Sequence, residues 1–117
     1  MHELAICREL VAQVSRVAQS HHARRVVSVT VRVGALSGVE PRLLESAYPL
    51  VSAGTRARES KLVLEVCALR VRCLECGAQS QPQAASLRCG TCRGRSVEIL
   101  SGQELLLASV ELEAQGE

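Results

Sequence analysis

Two C-x2-C knuckles, Cys73-Leu-Glu-Cys76 and Cys89-Gly-Thr-Cys92, are separated by twelve residues in a chain of 117. No other feature constrains the fold as much. Each knuckle reverses the chain so that two thiolates point inward, and two facing knuckles hold four sulfurs at about 2.3 Å from a shared ion. Gly77 relieves the backbone directly after the first knuckle. Residues 72–95 are rich in Cys, Gly, Arg, Gln and Ser and have few apolar side chains. A segment with so little to bury folds only when the metal binds. Four protein ligands leave no open position, so the pattern reads as structural Zn²⁺ rather than a catalytic centre. Four thiolates also suit iron. A rubredoxin-like iron site would sit among aromatic residues, however, and the chain has one Tyr, no Phe and no Trp. A pair of redox disulfides is disfavoured because neither knuckle follows a strand and opens a helix.

Charge narrows the partner classes. The formal net charge is +2, and four thiolates with one Zn²⁺ add −2, leaving the loaded chain near neutral. Arg70, Arg72, Arg88, Arg93 and Arg95 are then explained as counter-charges to the tetrathiolate. No aromatic residue lies in the module for bases to stack on. A zinc-ribbon nucleic-acid-binding protein is therefore the second reading, not the first. No apolar run reaches the roughly 18 residues of a spanning helix. Met1-His2-Glu3 lacks the basic and apolar regions of a signal peptide. The six cysteines are accordingly expected in a reducing compartment. Cys7, on a helical apolar stripe, and Cys67, inside a strand, read as small core residues rather than ligands.

Along the chain, Leu4, Cys7, Leu10, Val11, Val14, Val17 and Ala18 form a 3.6-period stripe, which predicts a helix to about Ser20. His21 and His22 follow it, where imidazoles suit the helix dipole as well as a metal. Val27, Val29, Val31 and Val33 alternate with polar residues, the mark of a half-buried strand. Gly34–Gly38 reads as a turn, and Pro41 suits the first position of a second helix. That helix is expected to run through Leu43, Leu44 and Ala47, with Pro49 kinking or ending it. Residues 54–60 read as a polar loop. A second strand carries Leu62, Leu64 and Val66 on one face, and the apolar phase slips near Cys67-Ala68, marking a bulge or a domain edge. Val97 and Ile99 begin a short strand, and a final strand places Leu106, Ala108, Val110 and Leu112 on one face.

Strand, helix, strand in that order favours a right-handed crossover between parallel strands. The expected fold is α+β: a small mixed three-stranded sheet with two helices on one face. A zinc-ribbon-like module is inserted before the last strand. The domain boundaries expected are 1–70 with 101–117 for the helix–sheet part and 71–100 for the cysteine module.

Met1-His2-Glu3 is itself a ligand set. The terminal amine, the His2 amide nitrogen and the His2 Nδ1 close fused five- and six-membered chelate rings. Three such nitrogens in a plane suit Ni²⁺ or Cu²⁺. Glu3 could add an oxygen. A cation at a helix N-terminus opposes the dipole, so residues 1–3 are expected just before the helix rather than inside it. On these residues alone, an ordinary exposed terminus is the better explanation of the pattern.

In combination the motifs are specific. Met1-His2-Glu3-Leu4, then Val33-Gly-Ala-Leu-Ser-Gly-Val-Glu40, then the paired knuckles, strongly resemble the HypA/HybF family of nickel metallochaperones. The resemblance runs the length of the chain. It implies a two-helix, three-stranded nickel domain with an inserted structural zinc domain. It implies Ni²⁺ held by the Met1 amine, the backbone and side chain of His2, and Glu3, with Glu40 matching an acidic position associated with that site. Zinc falls to Cys73, Cys76, Cys89 and Cys92. The implied partners are the HypB GTPase and the large-subunit precursor of a [NiFe]-hydrogenase in the cytoplasm, with urease maturation in some members.

The reading is a carrier, not an enzyme: no nucleophile–base pair and no phosphate-cradling loop is visible. Nucleic acid and membrane are not expected partners, and exposed strand edges leave a homodimer open.

Overall fold

The computed structural model describes residues 2–114. The elements run α1 (His2–Ser20), β1 (Ala23–Gly34), α2 (Pro41–Ser52), β2 (Lys61–Cys67), β3 (Arg70–Cys73), β4 (Gln79–Ser80), β5 (Val97–Ser101) and β6 (Leu105–Ala114). They form two three-stranded sheets, ordered β2-β1-β6 and β4-β3-β5. The chain divides into two compact units. One takes the residues through Val31, Val39–Glu65 and the chain from Leu106 on; the other takes Arg32–Gly38 and Val66–Leu105.

In the first unit, α1 buries Cys7, Leu10, Val11, Val14 and Ala18 from the expected stripe. α2 buries Leu44, Ala47, Tyr48 and Ser52, and α1 and α2 pack against each other. Val26, Val29, Val31 and Val33 of β1 are at most 1% exposed. The expected alternation is thus corrected at one position: Val26 is buried and Val27 only half-buried. The cause is local. The Val26 N–H donates to the Arg56 carbonyl at 2.9 Å, so β1 begins against a loop rather than another strand.

Cross-strand side chains give the direction of β6. Arg25 donates to Glu113 at 2.6 Å and Ser28 donates to Glu111 at 3.2 Å. Partner numbers fall as strand numbers rise, so β6 runs antiparallel to β1. The sheet is mixed, as expected, with two helices.

The core is narrower than the sequence suggests. No side chain of β2 or β6 is among the buried hydrophobics, and Val66 and Leu106 are 67% and 42% exposed. The face expected for β6 is corrected: Leu106 and Ala108 are exposed while Leu105 and Leu107 are half-buried, and only Val110 and Leu112 of the expected face are half-buried.

Pro49 lies inside α2, which continues to Ser52. One missing N–H costs the helix a single ladder bond, and the buried Tyr48 and Ser52 on either side hold the turn in place. The expected polar loop over residues 54–60 is turn-rich and mostly exposed, with internal order of its own. Ala57 is fully buried, and Thr55 bridges the Ser52 carbonyl at 2.6 Å and the Ala57 N–H at 3.0 Å. Tyr48 Oη meets Ser60 Oγ at 2.6 Å, and Ser60 donates in turn to the Ala57 carbonyl.

In the second unit, β2 ends at Cys67 and β3 starts a separate sheet at Arg70. The slip near Cys67-Ala68 is therefore a change of sheet. β3 pairs antiparallel with both β4 and β5, with a register shift between Arg70 and Val71. Val71 and Leu69 form its small apolar centre at 0% and 4% exposure.

Candidate metal centre

The two knuckles fold alike. Cys73 N–H donates to the Ala78 carbonyl and Cys89 N–H to the Gly94 carbonyl, both at 2.9 Å. Gly77 N–H returns to the Cys73 carbonyl and Arg93 N–H to the Cys89 carbonyl, both at 3.0 Å. Residues 77 and 93 both adopt the left-handed conformation, with φ of 78° and 61°. Glycine takes that conformation freely, while arginine is strained in it. Gly77 is readable from sequence; Arg93 is not, because its side chain gives no turn signal.

Backbone amides aim at the sulfurs. Cys73 Sγ accepts from the N–H groups of Glu75 and Cys76, each at 3.4 Å. Cys89 Sγ accepts from Thr91 at 3.3 Å and Cys92 at 3.4 Å. Gly94 N–H donates to Cys92 Sγ at 3.4 Å. All four sulfurs lie within 4.8 Å of one another, with Cys73–Cys92 at 3.5 Å and Cys76–Cys89 at 3.6 Å. A tetrahedron with arms of about 2.3 Å has edges of about 3.8 Å, so the donor set fits Zn²⁺. Each sulfur pair joins a buried cysteine to an exposed one.

The clustered sulfurs oppose one another's ionisation, so some thiols are pulled down and others pushed up. Donated N–H groups of Cys92 and Thr91 pull the Cys89 thiol down to about 6. Cys73 is lowered too, first by the Cys76 N–H. Cys92 receives the Gly94 N–H, yet its sulfur neighbours, Cys73 foremost, push it up to about 12. A divalent ion removes that conflict, because a coordinating thiol is deprotonated outright.

In the first unit, α1 begins at His2, which corrects the expectation that residues 1–3 precede it. The first four N–H groups of a helix have no intrahelical acceptor. Starting at His2 therefore leaves its amide nitrogen uncommitted, and Glu3 in the first turn suits the dipole. His2 is exposed and Glu3 half-buried. Met1 lies outside the described residues.

Glu40 comes to the same place. Its N–H donates to Glu3 Oε2 at 3.3 Å. That bond is the first of the causes holding the Glu3 carboxyl below its ordinary value. The Glu40 side chain caps α2, accepting the Arg42 N–H at 3.3 Å, with Pro41 at the helix start. The structure thus brings Glu3 and Glu40 together. Pro41 was legible as the helix start; the capping role of the Glu40 side chain and the role of its backbone were not.

Cys7 is fully buried in α1 and Cys67 half-buried in β2, where it bonds the Glu104 carboxylate. His21 and His22 are exposed after α1, and His22 has φ 53°. Among the described residues, the cysteine cluster is the only group of three or more His, Cys, Asp or Glu close enough to share an ion. No described helix is long and apolar enough to cross a membrane.

A family model described as "Hydrogenase/urease nickel incorporation, metallochaperone, hypA" matches residues 1–112. The chain is 48% identical over 112 residues to the hydrogenase maturation factor HypA of Nitrosospira multiformis, covering 96% of this chain and 97% of that one. It is 37% identical over 113 residues to HypA of Aquifex aeolicus, covering 97% and 98%. The solution structure of the nickel metallochaperone HypA from Helicobacter pylori shares the fold, with a TM-score of 0.66 at 23% identity over 97% of this chain and 98% of that one. A second solution structure of a HypA protein superimposes with a TM-score of 0.72 at 25% identity, covering 98% of both chains.

Proposed function

The chain belongs to the HypA family of hydrogenase/urease nickel-incorporation metallochaperones, and we propose on that premise that it captures Ni²⁺ at its N-terminus and hands it on during [NiFe]-hydrogenase maturation. The ligands are the Met1 amine, the amide nitrogen and imidazole of His2, and Glu3, with Glu40 alongside. Cys73, Cys76, Cys89 and Cys92 hold Zn²⁺ as a structural ion.

One observation carries this reading: the Glu40 N–H reaches the Glu3 carboxylate at the first turn of α1. Two residues 37 apart in sequence thereby meet at the first turn of α1, which begins at His2. An exposed His2 on that turn suits a carrier, which must surrender its cargo to a partner. Fused chelate rings give affinity and preference for a metal that accepts planar nitrogens. A site at the chain end leaves room for an incoming ligand to displace them one at a time. Proton loss accompanies binding, since amine and imidazole must be neutral.

The zinc assignment is supported by the sulfur spacing and the N–H···S bonds. With all four positions taken by protein, the ion supplies only cross-linking of the two knuckles. The module has little else to hold it. The partners are the HypB GTPase and a hydrogenase large-subunit precursor in the cytoplasm, with urease maturation as a further use. Family membership leaves the nucleic-acid reading unfavoured.

The test is reciprocal. His2→Ala should abolish stoichiometric nickel binding without changing zinc content. Cys73→Ser should lower zinc content and raise hydrogen exchange across residues 72–95 while nickel binding survives. Nickel retained by His2→Ala, or an ordered zinc-loaded module in Cys73→Ser, would contradict the assignment.

A further inference from the structure

Position 40 carries two chemically distinct groups, one engaged with the start of α1 and the other with the start of α2. The peptide N–H donates to Glu3 Oε2 at 3.3 Å. The carboxylate accepts the Arg42 N–H at 3.3 Å and so satisfies an otherwise unpaired donor of α2. We infer that Glu40 is a positioning residue for nickel capture, acting through its peptide N–H, which fixes the Glu3 carboxylate beside His2. The inference rests on the terminal nickel site proposed above.

The rigidity of that N–H comes from the core and not from a side chain. Glu40 has φ −87° and ψ 113°, and Pro41 follows at the helix start. Val39 just before it is 8% exposed, and Leu44, Ala47 and Tyr48 bury the face of α2 that follows. The direction of the donor is therefore set by packed backbone. Glu3 has three side-chain torsions, and ordering a side chain of that kind is costly in entropy. A fixed donor meets part of that cost before any metal arrives, which is how preorganisation raises affinity. Oε2 of Glu3 is held by the Glu40 N–H, and the backbone N–H of Glu3 itself also bonds the carboxylate, so the group is oriented before an ion arrives.

Ligation by the Glu40 carboxylate carries a cost that ligation by Glu3 does not. An ion that took the Glu40 oxygen engaged by Arg42 would remove the cap and leave the first turn of α2 with one more unsatisfied N–H. Ordinary residues at position 40 all keep the N–H; only proline lacks it. The two roles can therefore be separated by substitution; φ at 40 is −87°, about 20° from proline's preferred value, and the melting control reads what that difference costs.

The experiment compares Glu40→Ala with Glu40→Pro in equilibrium Ni²⁺ titrations of the full chain, with zinc content and thermal melting as controls. Both variants lack the carboxylate and the cap; they differ in the donor. Glu40→Ala is expected to weaken nickel binding by about threefold or less, and Glu40→Pro by a further factor of about ten. A second arm needs no metal and no proline: amide exchange at residue 40 in the nickel-free protein. That N–H belongs to an exposed residue and should be slowed by its bond to Glu3, and Glu3→Ala should release it. Equal nickel affinity in the two Glu40 variants would overturn the inference, and so would unchanged exchange at residue 40 in Glu3→Ala. If His2→Ala kept its nickel, the terminal-site reading would fall instead, while the exchange arm would still report on the Glu3–Glu40 contact.

Discussion

A Cβ on Gly34 would overlap the carbonyl of Gly102 and come within 2.8 Å of the Gln103 nitrogen. The two segments are this close because they are stitched by backbone bonds: Gly34 N–H to the Glu104 carbonyl and Leu36 N–H to the Gly102 carbonyl, each at 2.6 Å. Gly102 sits at φ 112° with Leu69 against its other side. No side chain fits between two main chains at that separation.

Gly34→Ala should therefore destabilise the second unit by about 3 kcal/mol or more, the high end for overpacking, because backbone rather than a flexible side chain has to move. Urea unfolding of the zinc-loaded protein checks this. A change below about 0.5 kcal/mol would mean that the two segments separate easily.

Arg93 and Gly77 occupy matching positions after the two knuckles, both left-handed. Arg93→Gly should slow zinc loss to a chelator and raise stability by up to about 1 kcal/mol, the strain relieved less the entropy glycine adds to the unfolded chain. Gly77→Ala should do the reverse by about 1 kcal/mol. Chelator-competition rates on both variants read the pair, and opposite signs are the expected signature.

Tyr48 is 3% exposed and its hydroxyl meets Ser60 Oγ at 2.6 Å. Tyr48→Phe should cost about 1 kcal/mol. Burial raises the Tyr48 phenol above its ordinary 10.0, outweighing the lowering effect of the Ser60 bond. The folded state then favours the neutral phenol, so its contribution is complete below pH 10.0 and declines as pH rises past that value. Urea midpoints at neutral and at alkaline pH should show this alkaline loss in the parent and a smaller one in Tyr48→Phe.

What the sequence made legible follows from how each element is stabilised. The stripe of α1 is read directly because a helix buries one face, and Cys7, Leu10, Val11, Val14 and Ala18 are that face. The knuckles are legible because metal ligands must be cysteines at fixed spacing, and the sulfurs do converge. Alternation in β2 was legible but its exposure was not, and the face of β6 was legible only at Val110 and Leu112. Period two reports that a strand has an apolar face, not that anything covers it, and Val66 stands 67% exposed. The polar loop over 54–60 was legible, but its internal order was not, because that order comes from Thr55, Ser60 and Tyr48 hydrogen bonds. Polar residues making such bonds look like solvent-facing loop in a sequence. The start of α1 was placed too late because the dipole argument disfavoured a cation there, whereas the helix carries Glu3 in its first turn as compensation. The meeting of Glu3 with the Glu40 N–H depends on α1 lying against α2, which local sequence does not encode.

The central claim is that nickel is held by the free terminal amine together with His2. An N-terminal extension of a single glycine turns that amine into an amide and destroys the first chelate ring while leaving His2, Glu3, Glu40 and all four knuckle cysteines in place. Equilibrium Ni²⁺ titration of the protein with and without this extension tests the claim most directly. The account predicts one Ni²⁺ per chain without the extension and loss of that binding with it, at equal zinc content. Full-affinity binding of Ni²⁺ by the extended protein would contradict the account and place the ligands elsewhere, with His21 and His22 the next residues to examine.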